Sequence, residues 1–223
     1  MTTYKIGQVE IYDVKAEDYV NADLFDGLSE KHLLDFENRW KPILDKHLEN
    51  VRNSCIDSCG NIIRQLLIDE LGKLNIQDIG WVWRDKLKRH PQPSTYYKFY
   101  VLEYDNVAQG LMSIDLATRR CLLESHSNNH LAYIDYLAVA PWNRPQLYNP
   151  QSYRMIGRVM MATAISTSID AGFKGRIGLH SLPQSENFYN DKCGMICLGN
   201  DVHKQNLLYY EMTSEKAYEF ISD

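Results

Sequence analysis

Hydrophobic positions along this chain follow a two-residue period at the start, a helical period next, and a two-residue period again in the second half. Residues 4–14, YKIGQVEIYDV, alternate polar and apolar side chains and place Val9 and Ile11 on one face, which predicts a strand. From residue 28 to residue 73 apolar side chains recur every three or four positions, which predicts helices. The pattern therefore indicates an α/β chain with helical material inserted near its N-terminus.

Two helices are predicted within residues 28–73. The first follows Ser29, a suitable N-cap, and Pro42 predicts a kink or a break inside it. The second covers residues 53–73 and ends near Gly72. One face is expected to hold Leu33, Phe36, Trp40, Ile43, Leu44 and His47 in the first helix, and Ile56, Ile63, Leu67 and Leu71 in the second. A further helix over residues 79–90 ends at the breaker HPQPST.

The rest of the chain alternates strands and helices. Residues 96–105 and 108–117 predict a hairpin, and the apolar run LAYIDYLAV, residues 131–139, predicts a buried strand. After a helix over residues 152–171, a strand, a short helix, a last strand and a terminal helical turn are expected at 175–182, 183–194, 206–213 and 214–222. No long linker or repeat interrupts this order, so we expect one domain over residues 1–223.

Composition argues against several classes of function. The chain has 223 residues, 44% of them hydrophobic, and no apolar run approaches the ~20 residues that span a bilayer. Its formal charge of −5 lacks the basic surplus that nucleic-acid binding requires. The basic cluster RDKLKRH, residues 84–90, is interpreted as a solvated helix face, with a binding surface as the alternative. We therefore expect neither a membrane nor a nucleic-acid partner.

The N-terminus and the cysteines favour a cytoplasmic protein without a metal. The first residues lack the apolar core of a signal peptide. The five cysteines contain no CxxC pair and no clustered partner ligands, so free thiols are expected.

The stretch YIDYLAVAPW, residues 133–142, places a carboxylate in the most core-like strand. Strict alternation puts Tyr133, Asp135 and Leu137 on one face and Ile134, Tyr136 and Ala138 on the other. A buried carboxylate costs several kcal/mol unless it is paired, hydrogen-bonded or open to water. Asp135 is therefore expected either to face a cleft or to accept a structural hydrogen bond from a loop or a tyrosine.

Three segments follow one another in this order: IDYLAVAP, SYRMIGRVMMATAI and GLHSLPQSENFYNDKCGM. Together they resemble the GCN5-related N-acetyltransferase (GNAT) superfamily over residues 96–212. IDYLAVAP is similar to the family's fourth strand, SYRMIGRVMMATAI to its acyl-CoA-binding loop and helix, and GLHSLPQSENFYNDKCGM to its fifth strand and following helix. The resemblance implies a mixed, mostly antiparallel sheet, flanked by helices, whose fourth and fifth strands splay apart. Residues 96–223 would then form the acyl-CoA-binding core, and residues 1–95 a first strand with an enlarged helical, substrate-side part.

The resemblance also implies acetyl-CoA as cosubstrate and a set of binding residues. Main-chain groups of Leu137, Ala138 and Val139 would hold the pantetheine arm, and those of Arg154, Met155, Ile156, Gly157 and Arg158 the pyrophosphate. The family's loop has two small positions two residues apart, and this chain keeps one glycine. Either Met155 replaces the first glycine and Gly157 is the last small position, or Gly157 is the first and Val159 fills the last.

Three catalytic residues are implied by the same resemblance. Tyr189 would be the general acid for the leaving thiolate, with packing on the core beside Phe188 as the alternative. Asp135 would be the general base for the amine. His180 would relay protons, or would be a structural histidine. Ser181 and Gln184 have the spacing of a capping box for the helix that holds Tyr189.

The expected activity is transfer of an acetyl group from acetyl-CoA to a primary amine by direct attack. A covalent cysteine route is not favoured, because no histidine or asparagine is expected beside Cys193. The alternatives are a non-catalytic module that binds acyl-CoA or a protein, and a longer-chain acyltransferase. The acceptor and the formation of a homodimer are left open by the sequence.

Overall fold

One mixed sheet organises the molecule in the computed structural model, which describes residues 3–74 and 76–222. The strands are β1 Tyr4–Asp13, β2 Asp18–Asp26, β3 Tyr97–Tyr104, β4 Val107–Asp115, β5 Ala132–Val139, β6 Tyr153–Arg154, β7 Ile177–Ser181, β8 Ile196–Asp201 and β9 Leu207–Met212. Their order is β6-β1-β2-β3-β4-β5-β7-β9-β8, and every neighbouring pair is antiparallel except β5 and β7. The expected fold class, a mostly antiparallel mixed sheet with flanking helices, is confirmed.

Helices cover both faces of this sheet. They are α1 Glu30–Asp35, α2 Lys41–Ser54, α3 Arg64–Lys73, α4 Trp83–Arg89, α5 Ile156–Asp170 and α6 Ser214–Ser222. Tyr100 and Leu102 of β3 pack toward α5, whereas Phe99 and Val101 pack with Trp40 and the other side chains of the N-terminal helices. The alternation of β3 thus separates two cores, as expected for a sheet buried on both faces. In the part of the chain that the structure describes, no helix has the length and apolar character needed to cross a membrane.

A β-bulge at Asp135 interrupts β5. β4 pairs with Ile134 and then with Tyr136, so Asp135 has no partner in β4. Because one residue is inserted, Ile134 and Leu137 both pack toward α5, while Tyr136 packs with the N-terminal helices. The strict alternation expected for residues 133–138 is therefore wrong.

The splay between two central strands is also confirmed. β5 and β7, which the sequence resemblance compared with the fourth and fifth strands, pair only from Ala132 to Ile134 on β5 and from Ile177 to Leu179 on β7. Beyond these pairs β5 continues along β4 and β7 continues along β9. The strands separate at the bulge, which is a place where a strand bends.

A short segment of the N-terminal insert reaches both sides of this separation. The backbone N–H of Gln77 donates to Oε1 of Gln184 (2.6 Å), and the backbone N–H of Gln184 donates to Oε1 of Gln77 (3.1 Å). On the other side Arg144 donates from Nη1 and Nη2 to the two carboxylate oxygens of Asp78, each over 2.7 Å. Gln184 follows β7 and Arg144 follows β5, so adjacent residues of the insert attach to both parted strands.

The N-terminal insert differs in detail from its sequence prediction. α1 continues through a π-helical turn, Phe36–Trp40, into α2, so the irregularity falls next to Pro42, which occupies the first turn of α2. The predicted helix over residues 53–73 is wrong, because α2 ends at Ser54 and α3 begins at Arg64. Between them the Asp57 carboxylate accepts from the backbone N–H of Cys59 (2.8 Å), a local turn that competes with a helix.

Two long strands were not predicted. β2 lies within the part expected to hold one strand and helices, so residues 1–95 contain two strands, and the helices are inserted between β2 and β3. Val20, Ala22 and Leu24 do alternate in β2, but the polar residues between them concealed the signal. β8 falls in residues 195–205, for which no element was predicted, and it contains Gly199, a residue that is unfavourable in strands.

Substitution Asp78→Ala should lower the free energy of unfolding by about 3 kcal/mol, because it leaves the guanidinium of Arg144 buried without its carboxylate. Urea unfolding measures this change. Asp85→Ala is a matched control, since Asp85 is exposed and its 3.7 Å contact with Lys88 should contribute less than about 0.5 kcal/mol. Equal effects of the two substitutions would contradict the stabilising role of the Asp78–Arg144 pair.

Candidate active site

The separation of β5 and β7 leaves part of the β5 edge open. The backbone N–H of Ala140 donates to the Gln109 carbonyl on the β4 side (2.9 Å), so the peptide groups of Ala138 point the same way. Those of Leu137 and Val139 point toward the gap instead. The Val139 carbonyl accepts there from Nε (2.9 Å) and Nη2 (2.7 Å) of Arg144. By this alternation the peptide groups that face the gap are those of Leu137 and the N–H of Val139.

Two clefts lie on either side of this gap. The first, here called the α5 cleft, has a volume of ≈ 550 Å³. It is lined by all eight residues that the sequence assigned to binding, namely Leu137, Ala138, Val139, Arg154, Met155, Ile156, Gly157 and Arg158. The second, here called the α4 cleft, has a volume of ≈ 510 Å³ and is lined by the three residues assigned to catalysis, Asp135, His180 and Tyr189. The two clefts share Leu137, Gln184, Ser185 and Tyr189, so they meet at the open edge.

The N-terminus of α5 opens into the α5 cleft. The first helical N–H groups, those of Ile156, Gly157 and Arg158, have no acceptor within the helix and carry the positive end of its dipole. Exposed Arg154 and Lys192 also line this cleft and add positive charge. Such a helix start can hold an anion.

Met155, the residue before α5, has a left-handed backbone with φ 73°. This conformation favours glycine, so the structure agrees with the interpretation in which Met155 replaces the first glycine of the loop. Gly157 is small for another reason. A Cβ at this position would lie 3.0 Å from Cζ of Phe188, which packs against the start of α5.

Tyr189 lies on a π-helical turn, Phe188–Lys192, between the two clefts. Its ring packs against Phe188 and Tyr210, with centroids 5.3 Å and 6.2 Å apart, and its side chain is buried. Tyr189 lines both clefts. Burial raises the pKa of Tyr189 well above its usual range, so the phenol is protonated at neutral pH and can donate a proton.

The predicted capping box for this helix is wrong. The Ser181 hydroxyl donates to the Leu182 carbonyl (2.8 Å), and Leu182 occupies the N-cap position without a side-chain bond. Cys193, at the end of the helix, lines neither cleft, and burial raises the pKa of its thiol to about 12. A thiol that stays protonated is a poor nucleophile.

Asp135 combines both interpretations that the sequence left open. The Tyr97 hydroxyl donates to its Oδ2 (2.7 Å) and lies 3.1 Å from Oγ of Ser113. The half-buried carboxylate also lines the α4 cleft and forms no ion pair with any described residue. The hydrogen bond therefore fixes the orientation of a carboxylate that remains open to a ligand.

His180 belongs to a hydrogen-bonded chain that the sequence did not reveal. Its Nδ1 lies 2.7 Å from the Tyr133 hydroxyl and its Nε2 lies 3.0 Å from Oδ2 of Asp201. Burial lowers the pKa of His180 although Asp201 acts in the opposite direction, so the ring is neutral at pH 7. The Nε2–H then donates to Asp201, and Nδ1 accepts from Tyr133. Both ring nitrogens of His180 already have hydrogen-bond partners, so the imidazole can act on a ligand in the α4 cleft only through the hydroxyl of Tyr133.

Lys86 is the second group that sequence reasoning missed, because it was assigned to a solvated basic face. Lys88 and Arg89 are exposed, but Lys86 is buried, with Nζ above the ring of Tyr136 and 5.0 Å from the ring centroid of Trp81. Its ammonium forms neither a hydrogen bond nor an ion pair with the residues that the structure describes. Burial lowers the pKa of Lys86 to about 7, and the carboxylate of Asp135 partly opposes this shift.

Comparisons with known proteins show likeness in structure but not in sequence. No protein-family model and no curated protein sequence matches this chain. An uncharacterized protein from Bacillus halodurans has a similar structure (TM-score 0.49, 12% identity, 99% of this chain and 97% of that chain covered). FeeM, an N-acyl amino acid synthase from uncultured soil microbes, also has a similar structure (TM-score 0.48, 9% identity, 87% of this chain and 92% of that chain covered).

A third similar structure is a candidate streptothricin acetyltransferase from Bacillus anthracis, solved in complex with acetyl coenzyme A. Its TM-score is 0.39 and its identity 17%, over 53% of this chain and 62% of that chain. This chain therefore spans less than two thirds of that protein. At these identities the likeness concerns the fold and not the activity.

Replacing Lys86 by methionine should stabilise the protein at neutral pH. The unfolded lysine titrates near pH 10.4 and the folded one at about 7, so between these values the unfolded chain binds more protons and stability rises with pH. Lys86→Met removes this dependence and should raise the free energy of unfolding by about 2 kcal/mol more at pH 7 than at pH 9. Urea unfolding at both values measures the difference, with exposed Lys88→Met as the matched control. A gain that does not change with pH would be inconsistent with this account.

At an ordinary helix position an alanine variant is more stable than a glycine variant, and at Met155 this order of stability should be reversed. Because its φ is 73°, Met155→Gly should be more stable than Met155→Ala by about 1 kcal/mol. Thermal or urea unfolding of the two variants measures the difference. The pair Lys174→Gly and Lys174→Ala is the matched comparison. Lys174 also has a positive φ (57°), so its glycine variant should likewise be more stable than its alanine variant. Greater stability of the alanine variant at Met155 would refute the assigned strain.

Proposed function

We propose that this protein is an acyltransferase of the GNAT superfamily that moves an acetyl group from acetyl-CoA to a primary amine. One observation carries the proposal. Two clefts approach the parted edge of β5 from opposite sides and meet at Leu137 and Tyr189. A group can therefore be transferred between two ligands that enter separately.

The α5 cleft is the proposed site for acetyl-CoA. Peptide groups of Leu137 and the N–H of Val139 would pair with the amide groups of the pantetheine arm, as a neighbouring strand would. The pyrophosphate would accept hydrogen bonds from the first N–H groups of α5, with the positive charge of Arg154 nearby. These contacts orient the thioester toward Tyr189 and exclude water from the open edge.

The α4 cleft is the proposed acceptor site. Asp135, directly or through a water molecule, takes a proton from the ammonium and frees the nitrogen lone pair. The nitrogen attacks the thioester carbonyl, the C–N bond forms, and the C–S bond breaks as the tetrahedral intermediate collapses. Tyr189 donates its proton to the departing sulfur. As the amide forms, the nitrogen loses its second proton, which restores Tyr189 directly or through a water molecule. The proton held by Asp135 passes to water, so the products are an amide, free CoA and one proton, and atoms and charges balance.

His180 supports this step as a positioning residue. With Asp201 fixing the tautomer, its Nδ1 holds the hydroxyl of Tyr133 in one orientation on the wall of the α4 cleft. Tyr133 is adjacent in space to the point where β5 leaves β7, since it pairs with Gly178. The chain Tyr133–His180–Asp201 thus offers a route by which a proton on the cleft wall can move toward the surface.

Calorimetric titration with acetyl-CoA and with CoA tests the proposal. Both ligands should bind at micromolar concentrations, and release of the CoA thiol in the presence of an amine should report turnover. No binding of either ligand would exclude the acetyltransferase. Binding without turnover of any amine would instead favour a module that holds acyl-CoA and does no chemistry.

Tyr189→Phe should leave the affinity for acetyl-CoA unchanged and lower kcat by about 100-fold, because the variant keeps the ring and loses only the proton donor. Tyr218→Phe, an exposed residue of α6, is the matched control and should have no effect. An unchanged kcat in Tyr189→Phe would contradict the role of Tyr189 as the general acid.

A further inference from the structure

The wall of the α4 cleft carries charges of both signs that lack counter-ions. Over residues 3–74 and 76–222, Lys86 has no carboxylate within ion-pair distance of its Nζ. Asp135 accepts a hydrogen bond from neutral Tyr97 and likewise has no cationic partner. The two groups interact electrostatically but are too far apart to pair with each other. Each would gain from a ligand group of opposite sign.

Two further cations line the same cleft. Arg89 is exposed on α4, and half-buried Lys204 lies 5.9 Å from the ring centroid of Tyr133. Neither makes an ion pair with a residue that the structure describes. The remaining acid of the lining, Asp85, lies 3.7 Å from Lys88. The cleft is therefore positive, although the chain has a formal charge of −5.

A pair of aromatic side chains stands beside these charges. The rings of Trp81 and Tyr136 lie edge to face with centroids 4.9 Å apart, and both line the cleft. Leu182 and Leu207 line the cleft as well. An apolar side chain of a ligand would bury its surface here.

We propose that the acceptor is a free α-amino acid whose carboxylate binds at Lys86 and whose amine faces Asp135. This inference rests on the proposed acetyl transfer. A zwitterion brings a carboxylate for Lys86 and an ammonium for Asp135 into the cleft together, so it offers a partner to both uncompensated charges at once. A simple amine would bring a further positive charge into a positive cleft and would leave Lys86 without a partner.

The reaction itself changes the fit of the ligand. Acetylation converts the ammonium, which Asp135 attracts, into a neutral amide, while the carboxylate at Lys86 keeps its charge. The product therefore loses one of its two charge contacts. An N-acetyl amino acid is also a suitable probe, because it retains the carboxylate and has no amine to titrate.

Binding of N-acetylphenylalanine should weaken as pH rises. An anion binds the protonated lysine, and the pKa of Lys86 is lowered by burial to about 7, so the affinity should fall by about tenfold or more between pH 6 and pH 9. The other titratable or charged groups that face this site are Asp135, Tyr133, Tyr136, His180, His203, Arg89 and Lys204. His180 and His203 are imidazoles that can also change charge in this range, so the part of the change that Lys86→Met removes is the part assigned to Lys86.

Turnover with matched acceptors tests the class of acceptor. Phenylalanine, phenylalanine methyl ester and phenethylamine share a ring and an amine, but only the first has a carboxylate. The ratio kcat/KM for phenylalanine should exceed that for either analogue by about tenfold or more. Lys86→Met should abolish this preference and the pH dependence of binding, and the double variant Arg89→Gln and Lys204→Gln should reduce the preference. Lys88→Met, on the exposed side of the same helix, should preserve it.

The outcomes separate this inference from the proposed function. If acetyl-CoA fails to bind, or if no amine is acetylated, the acyltransferase itself is wrong. If phenethylamine or the ester is acetylated as well as phenylalanine, acetyl transfer stands and the amino-acid acceptor is overturned. Preference for an amino acid esterified to tRNA would also overturn it, because the ester lacks the free carboxylate.

Discussion

The bulge at Asp135 is the local constraint on which both clefts depend. One inserted residue bends β5 and ends its pairing with β7 after Ile134. The same insertion brings Asp135 next to the hydroxyl of Tyr97 and leaves peptide groups of Leu137 without a strand partner on one side. A carboxylate in a core-like strand is thus tolerated because the strand is irregular at that residue.

An open sheet edge in the middle of a fold needs support from outside the sheet, and the N-terminal insert supplies it. Gln77 bonds to Gln184 beyond β7, and Asp78 bonds to Arg144 beyond β5. Arg144 in turn binds the carbonyl of Val139. This arrangement holds the two parted strands at a fixed separation, and Gly80 and Trp81 follow directly along the chain into the α4 cleft. The insert therefore both stabilises the gap and forms the acceptor side.

Sequence patterns predicted the parts of the molecule in which local periodicity and fold agree. β3, β4, β5, β7, β9, α5 and α6 form where the sequence pattern predicted them, and the eight residues assigned to binding all line one cleft. The errors have physical causes. The bulge shifts the alternation after Ile134, and a bulge has no signature in a short apolar run. The turn at Asp57 ends a helix that apolar spacing alone would continue.

The functional groups that sequence reasoning missed depend on contacts between distant elements. Asp201 reaches His180 from an unpredicted strand, and Lys86 meets Tyr136 across 50 positions of the chain. Burial of a lysine against aromatic rings is unfavourable for stability, because cation–π contacts recover only part of the lost hydration. An apolar residue would serve α4 better as a packing element. A cation in this place is therefore better explained by a ligand that completes its solvation than by the fold, and the carboxylate of an acceptor supplies that missing contact.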